Sequence, residues 1–332
     1  MNLAASSSGY TRSFSDFCDK MYRNKRIGVV VPAHNEESLL GRVFEKMPKY
    51  VDVIYPVNDG STDGTGKVIE DYKNKDPRIK PVVHTTNHGV GASIYDGYKM
   101  ALEDGMDIAA VMAGDNQMDP KFLPQLLDPL VDGEADYSKG NRLPRRELRK
   151  RMPKTRIIGN SILSLLTKIA SGYWNVLDPQ NGYTAANRDV MEKLDFEGIY
   201  NGYGCPNDML VKLNIYDFRV KDVWMPSIYG TERSGIRMYK YVPKVSWILL
   251  KGFFWRLWEK YVIMDFHPLI FFYGLGLILL PVGLLLGLLI VYNRFVFGTI
   301  TLSTVVLAAL LIISGLQMLL FAMLFDSQSK RG

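Results

Sequence analysis

A chain of 332 residues has room for one α/β domain of about 200–240 residues and a smaller appendage. Its net charge of +6 comes largely from basic stretches at Lys139–Arg156 and Lys240–Lys260. With no nucleic-acid motif present, that charge points to anionic lipid or phosphorylated ligands rather than to nucleic acid. Two cysteines, Cys18 and Cys205, exclude a disulfide framework and a cysteine metal site, and fit a reducing compartment.

Residues 1–26 are Ser-rich and of mixed charge. They lack the apolar core of a signal peptide and read as a polar arm. Residues 27–112 then alternate between short β-rich runs (Ile27–Val31, Val53–Val57, Ile79–Val83, Ile108–Met112) and helix-like stretches (Ser38–Met47, Thr65–Lys73, Ala92–Leu102). Such alternation predicts βαβ units and a mostly parallel sheet with flanking helices. Ligands of such sheets bind beyond the carboxyl ends of the strands. Four of the predicted strands end in polar sequence there: Pro32–Glu36, Asn58–Ser61, Thr86–Gly89 and Gly114–Gln117. Turn chemistry accounts for any one of these tips; the set of four predicts one site.

Further strands are expected at Asp136–Lys139 and Arg219–Trp224, and helices at Arg156–Ala170, Asn187–Leu194 and Asp208–Ile215. Asp178–Tyr183 reads as a polar turn and Tyr229–Met238 as a mobile loop. Val242–Tyr261 mixes Trp, Phe and Tyr with Lys and Arg, which suits helices lying in a membrane interface; the alternative is an amphipathic helix packed on the domain. Two uncharged runs follow, Pro268–Tyr292 and Gly298–Phe325, of 25 and 28 residues. Each is at least about 37 Å long as a helix, enough to cross a bilayer core. Asn293–Phe297 is expected to be the hairpin loop between them. Lys251, Arg256 and Lys260 precede the first span and Lys330 and Arg331 follow the second, against Arg294 alone in the hairpin, which places both termini and the domain in the cytosol. The domain boundaries expected are 1–26, 27–238, 239–266 and 267–332. The two spans also provide a surface through which copies of the chain could associate.

The tips carry candidate chemistry. Asp59 at a strand end can bond the base or ribose of a nucleotide, while Asp63 is expected to cap the next helix. The run Asn87–Ala92 opens a helix; Gly89 and Gly91 allow close backbone approach there, and the helix N-terminus favours anions. Asp115 and Gln117 are oxygen donors of the kind Mg²⁺ or Mn²⁺ takes beside a diphosphate. Asp119 either assists them or caps the helix that follows. Asp208 opens a helix, either as a catalytic carboxylate or as a cap.

In this order the residues resemble family 2 glycosyltransferases, in the branch of dolichyl-phosphate mannose synthases and polyprenyl-phosphate hexosyltransferases. Val31-Pro32-Ala33-His34-Asn35-Glu36 is similar to the opening PxxNE, and Val57–Asp63 to DDGSxD with Asn58 at the first acidic position. Asn87–Ala92 resembles NxGxGxA. Ala113–Gln117 occupies the DxDxQ metal motif, with Ala113 in place of its first aspartate. Gly140-Asn141-Arg142 resembles the following GxR, and Asp178–Tyr183 the turn on the acceptor side. Arg233-Ser234-Gly235 resembles the start of a loop closing over both substrates, with Arg237 where many relatives carry Ser. The resemblance covers about residues 27–238 and implies a GT-A (Rossmann-like) fold, with the interfacial helices and transmembrane hairpin appended.

It further implies an inverting transfer of a hexose, from GDP-mannose or UDP-glucose, to a polyprenyl (dolichyl) phosphate, with Mg²⁺ or Mn²⁺ as cofactor. By resemblance, Pro32, His34, Glu36 and Asp59 take the nucleotide, Asp115 and Gln117 the metal, and Arg142, Arg156 (with Asn160 one turn on) and Arg233 the phosphates. Asp178 orients sugar or acceptor, with Asp208 the weaker candidate. A phosphate monoester is largely dianionic at neutral pH, so such an acceptor needs no strong base. Two other readings stay open: transfer to a lipid hydroxyl such as that of diacylglycerol, which would need a base, and a non-catalytic, membrane-tethered nucleotide-sugar binder. A processive polysaccharide synthase is disfavoured, because two spans are too few for a pore and no QxxRW motif occurs.

Overall fold

The computed structural model describes residues 21–142, 154–194, 198–226, 238–299 and 301–328. The chain divides into two compact units: Met1–Pro144 with Asn181–Cys205 and Arg219–Arg233, and Arg145–Gln180 with Pro206–Phe218 and Ser234–Gly332.

The first unit is built on a seven-stranded sheet. Its strands are β1 (Ile27–Ala33), β2 (Val53–Asp59), β3 (Val82–His84), β4 (Ile108–Val111), β5 (Tyr137–Asn141), β6 (Thr184–Asn187) and β7 (Val220–Trp224), in the order β3-β2-β1-β4-β6-β5-β7. β3, β2, β1 and β4 pair in parallel, as do β5 and β7, while β6 runs antiparallel to both β4 and β5. Every strand except β6 therefore ends on the same edge. The helices are α1 (Leu40–Glu45), α2 (Thr65–Lys73), α3 (Val90–Glu103), α4 (Leu123–Val131, entered through a 3₁₀ turn at Pro120–Phe122) and α6 (Arg188–Lys193).

The apolar run of β1 follows from burial on both faces. Val29, Val31 and Ala33 join a core with Leu40, Val43 and Phe44 of α1 and Leu123, Leu126 and Leu127 of α4. The alternate residues meet α3 so closely that a Cβ on Gly97 would lie 2.2 Å from Val30 Cγ1. At the margin, Tyr22 donates to Asp128 at 2.6 Å and Arg23 pairs with Asp132 at 2.6 Å, so the end of the expected N-terminal arm is pinned to α4.

In the first unit the predicted elements recur with three main differences. β6 falls between the expected turn at Asp178–Tyr183 and the expected helix at Asn187–Leu194, where no strand was predicted, because Thr-Ala-Ala-Asn has no β-branched run; neighbours on both sides supply its pairing. Asn187 is the cap of α6, its side chain accepting from Val190 N at 3.0 Å, rather than its first residue. The third strand begins later than expected, with Ile79 forming only an isolated bridge to Ile54.

The second unit contains α5 (Lys154–Ser171), α7 (Cys205–Ile215, from Pro206 on), α8 (Met238–Trp258), a π-helical turn (Glu259–Met264), α9 (Leu269–Phe297) and α10 (Leu302–Gln328). Val245, Leu249, Phe253 and Leu257 recur every fourth residue on α8 and form one core with Leu163 and Ala170 of α5. Trp247, Leu250, Phe254, Trp255 and Trp258 of the same helix stay exposed. α9 and α10 are long and apolar enough to cross a membrane, and only 11% and 17% of their most apolar segments are buried within the chain. They pack on each other through glycines: a Cβ on Gly315 would lie 2.5 Å from Leu280 N, and one on Gly283 2.8 Å from Ile312 N. Asn293–Phe297, expected as the hairpin loop, is instead the last turn of α9. Gly298, at φ +71°, ends that helix in the left-handed region open to glycine.

Near the end of α10 the apolar pattern is broken by Asp326, which is fully buried. Arg256 of α8 grips it with two hydrogen bonds of 2.9 Å, and Tyr261 Oη donates to the same carboxylate. Removing one member leaves the other charge buried and unpaired, at a cost of about 3–5 kcal/mol, whereas an apolar pair of similar volume is close to neutral. Arg256→Met is thus expected to lower the thermal unfolding midpoint in detergent sharply, and the double variant Arg256→Met/Asp326→Leu to recover most of the loss.

Candidate active site

On the common edge of the sheet, the β1 and β2 tips are interlocked by side chains. Asn35, with φ +58°, accepts through Oδ1 from Thr62 N at 2.8 Å, and its own amide donates to Ser61 Oγ at 3.1 Å. The amide of Glu36 donates to Thr65 Oγ1 at 2.8 Å, and Glu37 Oε2 accepts from Gly64 N at 3.0 Å. Asp63 was expected to cap α2; the N-cap is Gly64, and Asp63, one residue earlier, accepts from Thr65 N and Oγ1. His34 Nδ1–H donates to the carbonyl of Asp59 at 2.7 Å, which fixes that tautomer and leaves Nε2 to accept from Asn35 Nδ2 at 3.3 Å.

Asp59 is the centre of this arrangement. It is 4% exposed. Oδ1 accepts from His88 N and from His84 Nδ1, each at 2.8 Å, and Oδ2 accepts from Gly89 N at 2.8 Å. Burial alone would raise its carboxyl pKa. The hydrogen bonds from His84, His88 and Gly89 outweigh it and hold the group below the ordinary aspartate range. The anion at the N-terminus of α3 is Asp59 itself, and Gly91 N donates to Asn201 O at 3.2 Å, so these amides are already committed within the chain. The two glycines admit the chain's own backbone: a Cβ on Gly89, at φ +93°, would lie 2.3 Å from Asn201 O, and one on Gly91 2.7 Å from Tyr200 O.

The β4 tip joins the same assembly. Gly114 N donates to Pro32 O at 3.1 Å. Asp115 follows in a turn where Asn116 takes φ +55°, and Asp115 Oδ1 accepts from Gln117 N at 3.0 Å. Asp115 is half-buried and Gln117 exposed. Asp119 is a cap: it accepts from Lys121 N at 3.0 Å and pairs with Lys121 Nζ at 2.8 Å. Its carbonyl accepts from Tyr183 Oη at 3.2 Å, which ties this turn to β6. Arg142 follows β5 directly, whose Gly140 exchanges bonds with its neighbours: its carbonyl accepts from Asn181 Nδ2 at 2.7 Å and its amide donates to Tyr183 O at 2.9 Å.

Thus Pro32, His34, Glu36, Asp59, Gly89, Gly91, Asp115, Gln117 and Arg142 lie along one edge of one sheet. Asn160, Asp178 and Asp208 belong to the second unit, where Asp178 is buried and Asp208 sits in the first turn of α7. Arg156 stands in the first turn of α5, and its side chain, like Arg233 and the loop around it, lies outside the described residues. Residues that sequence reasoning missed include His84 and Asn181. A single histidine in a three-residue strand carries no motif, and Asn181 was visible only as part of a turn.

As donors for a divalent cation, the edge offers one carboxylate and one amide oxygen at Asp115 and Gln117. Among the described residues no group of three His, Cys, Asp or Glu side chains gathers into a metal cage. This hard-oxygen pair fits Mg²⁺ or Mn²⁺ that arrives with a diphosphate and keeps waters, and does not fit a cation held by protein alone.

Comparison with known proteins agrees with this architecture. The chain is 28% identical over 219 residues to the UDP-N-acetylglucosamine–dolichyl-phosphate N-acetylglucosaminyltransferase of Methanococcus voltae, covering 60% of this chain and 87% of that one. It is 31% identical over 203 residues to the undecaprenyl-phosphate mannosyltransferase of Micrococcus luteus, covering 60% and 82%. Among solved structures, glucosyl-3-phosphoglycerate synthase of Mycobacterium tuberculosis in complex with UDP superimposes with a TM-score of 0.54 at 22% identity over 69% of this chain and 80% of that one, which speaks for the GT-A-like fold. The sequence profile of glycosyl transferase family 2 matches residues 28–195, half of the chain and all of the sheet edge from β1 to β5, so the protein is a glycosyltransferase of that family.

Proposed function

We propose that the enzyme transfers a sugar from a nucleoside diphosphate donor to a polyprenyl phosphate at the cytosolic face of a membrane. The observation that carries this reading is the pairing, in one family 2 chain, of a polar sheet edge with two helices whose apolar surface is left exposed. Several relatives act on lipid-borne phosphates by name: dolichyl phosphate in Methanococcus voltae, undecaprenyl phosphate in Micrococcus luteus, and dolichol phosphate in Pyrococcus furiosus. A polyprenyl tail leaves a bilayer at about 0.8 kcal/mol per CH₂, so an enzyme serving it gains from being anchored there. The exposed rings of α8, with Lys251 stacked 5.5 Å from the Trp247 ring, suit the headgroup layer.

In this mechanism an oxygen of the acceptor phosphate attacks the anomeric carbon as the bond to the β-phosphate oxygen breaks. The configuration inverts, and the nucleoside diphosphate departs with the bonding pair. The acceptor is dianionic at neutral pH and is itself the nucleophile. Arg142, Arg156 and Arg233 hold the two sets of phosphate oxygens in line against their mutual repulsion, and Asp178 orients the sugar or acceptor, with Asp208 a second candidate. Pro32, His34 and Glu36 line the nucleotide side; Asp59 shapes it by holding the β2 and β3 tips. Asp115 and Gln117 would hold a divalent cation, which supplies Lewis-acid stabilisation of the charge on the leaving diphosphate. Solved UDP complexes of the Mycobacterium tuberculosis synthase include one with Mn²⁺ and one with Mg²⁺.

The direct test incubates membranes carrying the protein with labelled GDP-mannose, UDP-glucose and UDP-N-acetylglucosamine, one polyprenyl phosphate and Mn²⁺. One donor is expected to give an acid-labile, alkali-stable lipid product. A product on diacylglycerol, or none with any donor, would sink the proposal. Chelation with EDTA should abolish transfer and added Mn²⁺ restore it. Asp115→Ala should lower kcat by about 10²–10³-fold, the range for losing one stabilising contact to developing charge, with Arg142→Ala in the same direction.

A further inference from the structure

His84 ends β3, and its side chain is only 7% exposed. Its two nitrogens face two carboxylates: Nδ1 lies 2.8 Å from Asp59 Oδ1 and Nε2 2.9 Å from Asp96 Oδ2 on α3. The ring of His88 stacks on it, centroids 4.9 Å apart and planes 23° from parallel, with His88 Nε2 3.0 Å from Thr86 Oγ1. The titratable groups facing the imidazole are thus Asp59 from β2, Asp96 from α3 and His88 from the loop between β3 and α3. A carboxylate only accepts hydrogen bonds, so this geometry is satisfied on both sides when both ring nitrogens carry protons.

The consequence reaches the nucleotide side of the sheet. Asp59 is buried, and the ring of His84 is a side-chain partner that compensates it there. The same carboxylate fixes the amides of His88 and Gly89, and the carbonyl of Asp59 holds His34 on the β1 tip. We propose that His84 is a positioning residue of the donor site, its ring clamped between Asp59 and Asp96 so as to hold the β1, β2 and β3 tips in register for the nucleotide. The inference rests on reading this edge as the nucleotide side.

Rescue by a conservative variant separates this role from a merely structural one. The experiment uses the full chain in nanodiscs and two readouts, UDP and GDP binding and the thermal unfolding midpoint. His84→Ala should raise the dissociation constant of whichever nucleotide binds about tenfold, the scale of losing one charge-assisted hydrogen bond. His84→Gln, which can still donate to Asp59, should restore most of that affinity, and Asp96→Ala, which leaves one side of the ring unheld, should fall between the two, with unfolding midpoints close to the wild type in both. Wild-type affinity in His84→Ala, or a loss that His84→Gln does not restore, overturns the inference alone. Failure of both nucleotides to bind the wild type overturns the donor-site reading and the inference with it.

Discussion

The carboxylate of Asp59 is the constraint on which the sheet edge depends. An aspartate buried at the end of a strand needs donors, and Asp59 finds three, from a side chain and two backbone amides. Those amides open α3, so the charge also lies where the helix dipole favours it. The cost of burying one charge is thereby converted into a fixed relation between β2, β3 and α3. Gly60 records how close that relation is: at φ +62°, a Cβ there would lie 2.4 Å from the backbone of Thr86. Only glycine satisfies the angle and the distance together.

From that point the other tips are tied in sequence. Asn35 and Glu37 bind the β2 loop, Pro32 binds Gly114 of the β4 tip, and Tyr183 binds the turn beyond it. Each bond is modest alone. Together they leave the loops of one edge little freedom relative to the strands that carry them, which is what a site that works by positioning needs.

Much of this was legible in the sequence, because strand–helix alternation and polar strand ends are local patterns. α2 falls at Thr65–Lys73 as its periodicity predicts, and the capping role of Asp119 follows from its place before a helix; Asp63, expected as a cap, sits one residue before the N-cap Gly64 and accepts from Thr65 N. What was not legible is long-range. β6 owes its strand to pairing on both sides, not to its own residues. The glycines of Asn87–Ala92 read as room for a ligand, yet the space is filled by Tyr200 and Asn201, more than a hundred positions away. Asp59 read as a ligand-facing carboxylate, and its partner His84 lay outside every motif. Arg256 and Asp326 were likewise read separately, one as an interfacial cation and the other not at all, since their pairing spans 70 positions.

The fate of the aspartates bears on the chemistry. Asp59 anchors α3, Asp63 holds the start of α2, and Asp119 caps the turn into α4. On the first unit's edge Asp59, Asp63, Asp115 and Asp119 each accept a hydrogen bond from a loop or helix-start amide, so all four are engaged in building loops. A general base needs the opposite: a carboxylate within reach of the proton it takes and free to accept it. Such an edge suits an acceptor that brings its own negative charge better than a hydroxyl that must be deprotonated. A lipid phosphate meets that requirement; a lipid hydroxyl would demand a base from elsewhere in the chain. The same reasoning explains the sparse metal donors. In the proposed reaction both substrates are phosphates; the diphosphate would supply most of the oxygens a cation seeks, leaving Asp115 and Gln117 only to fix its position.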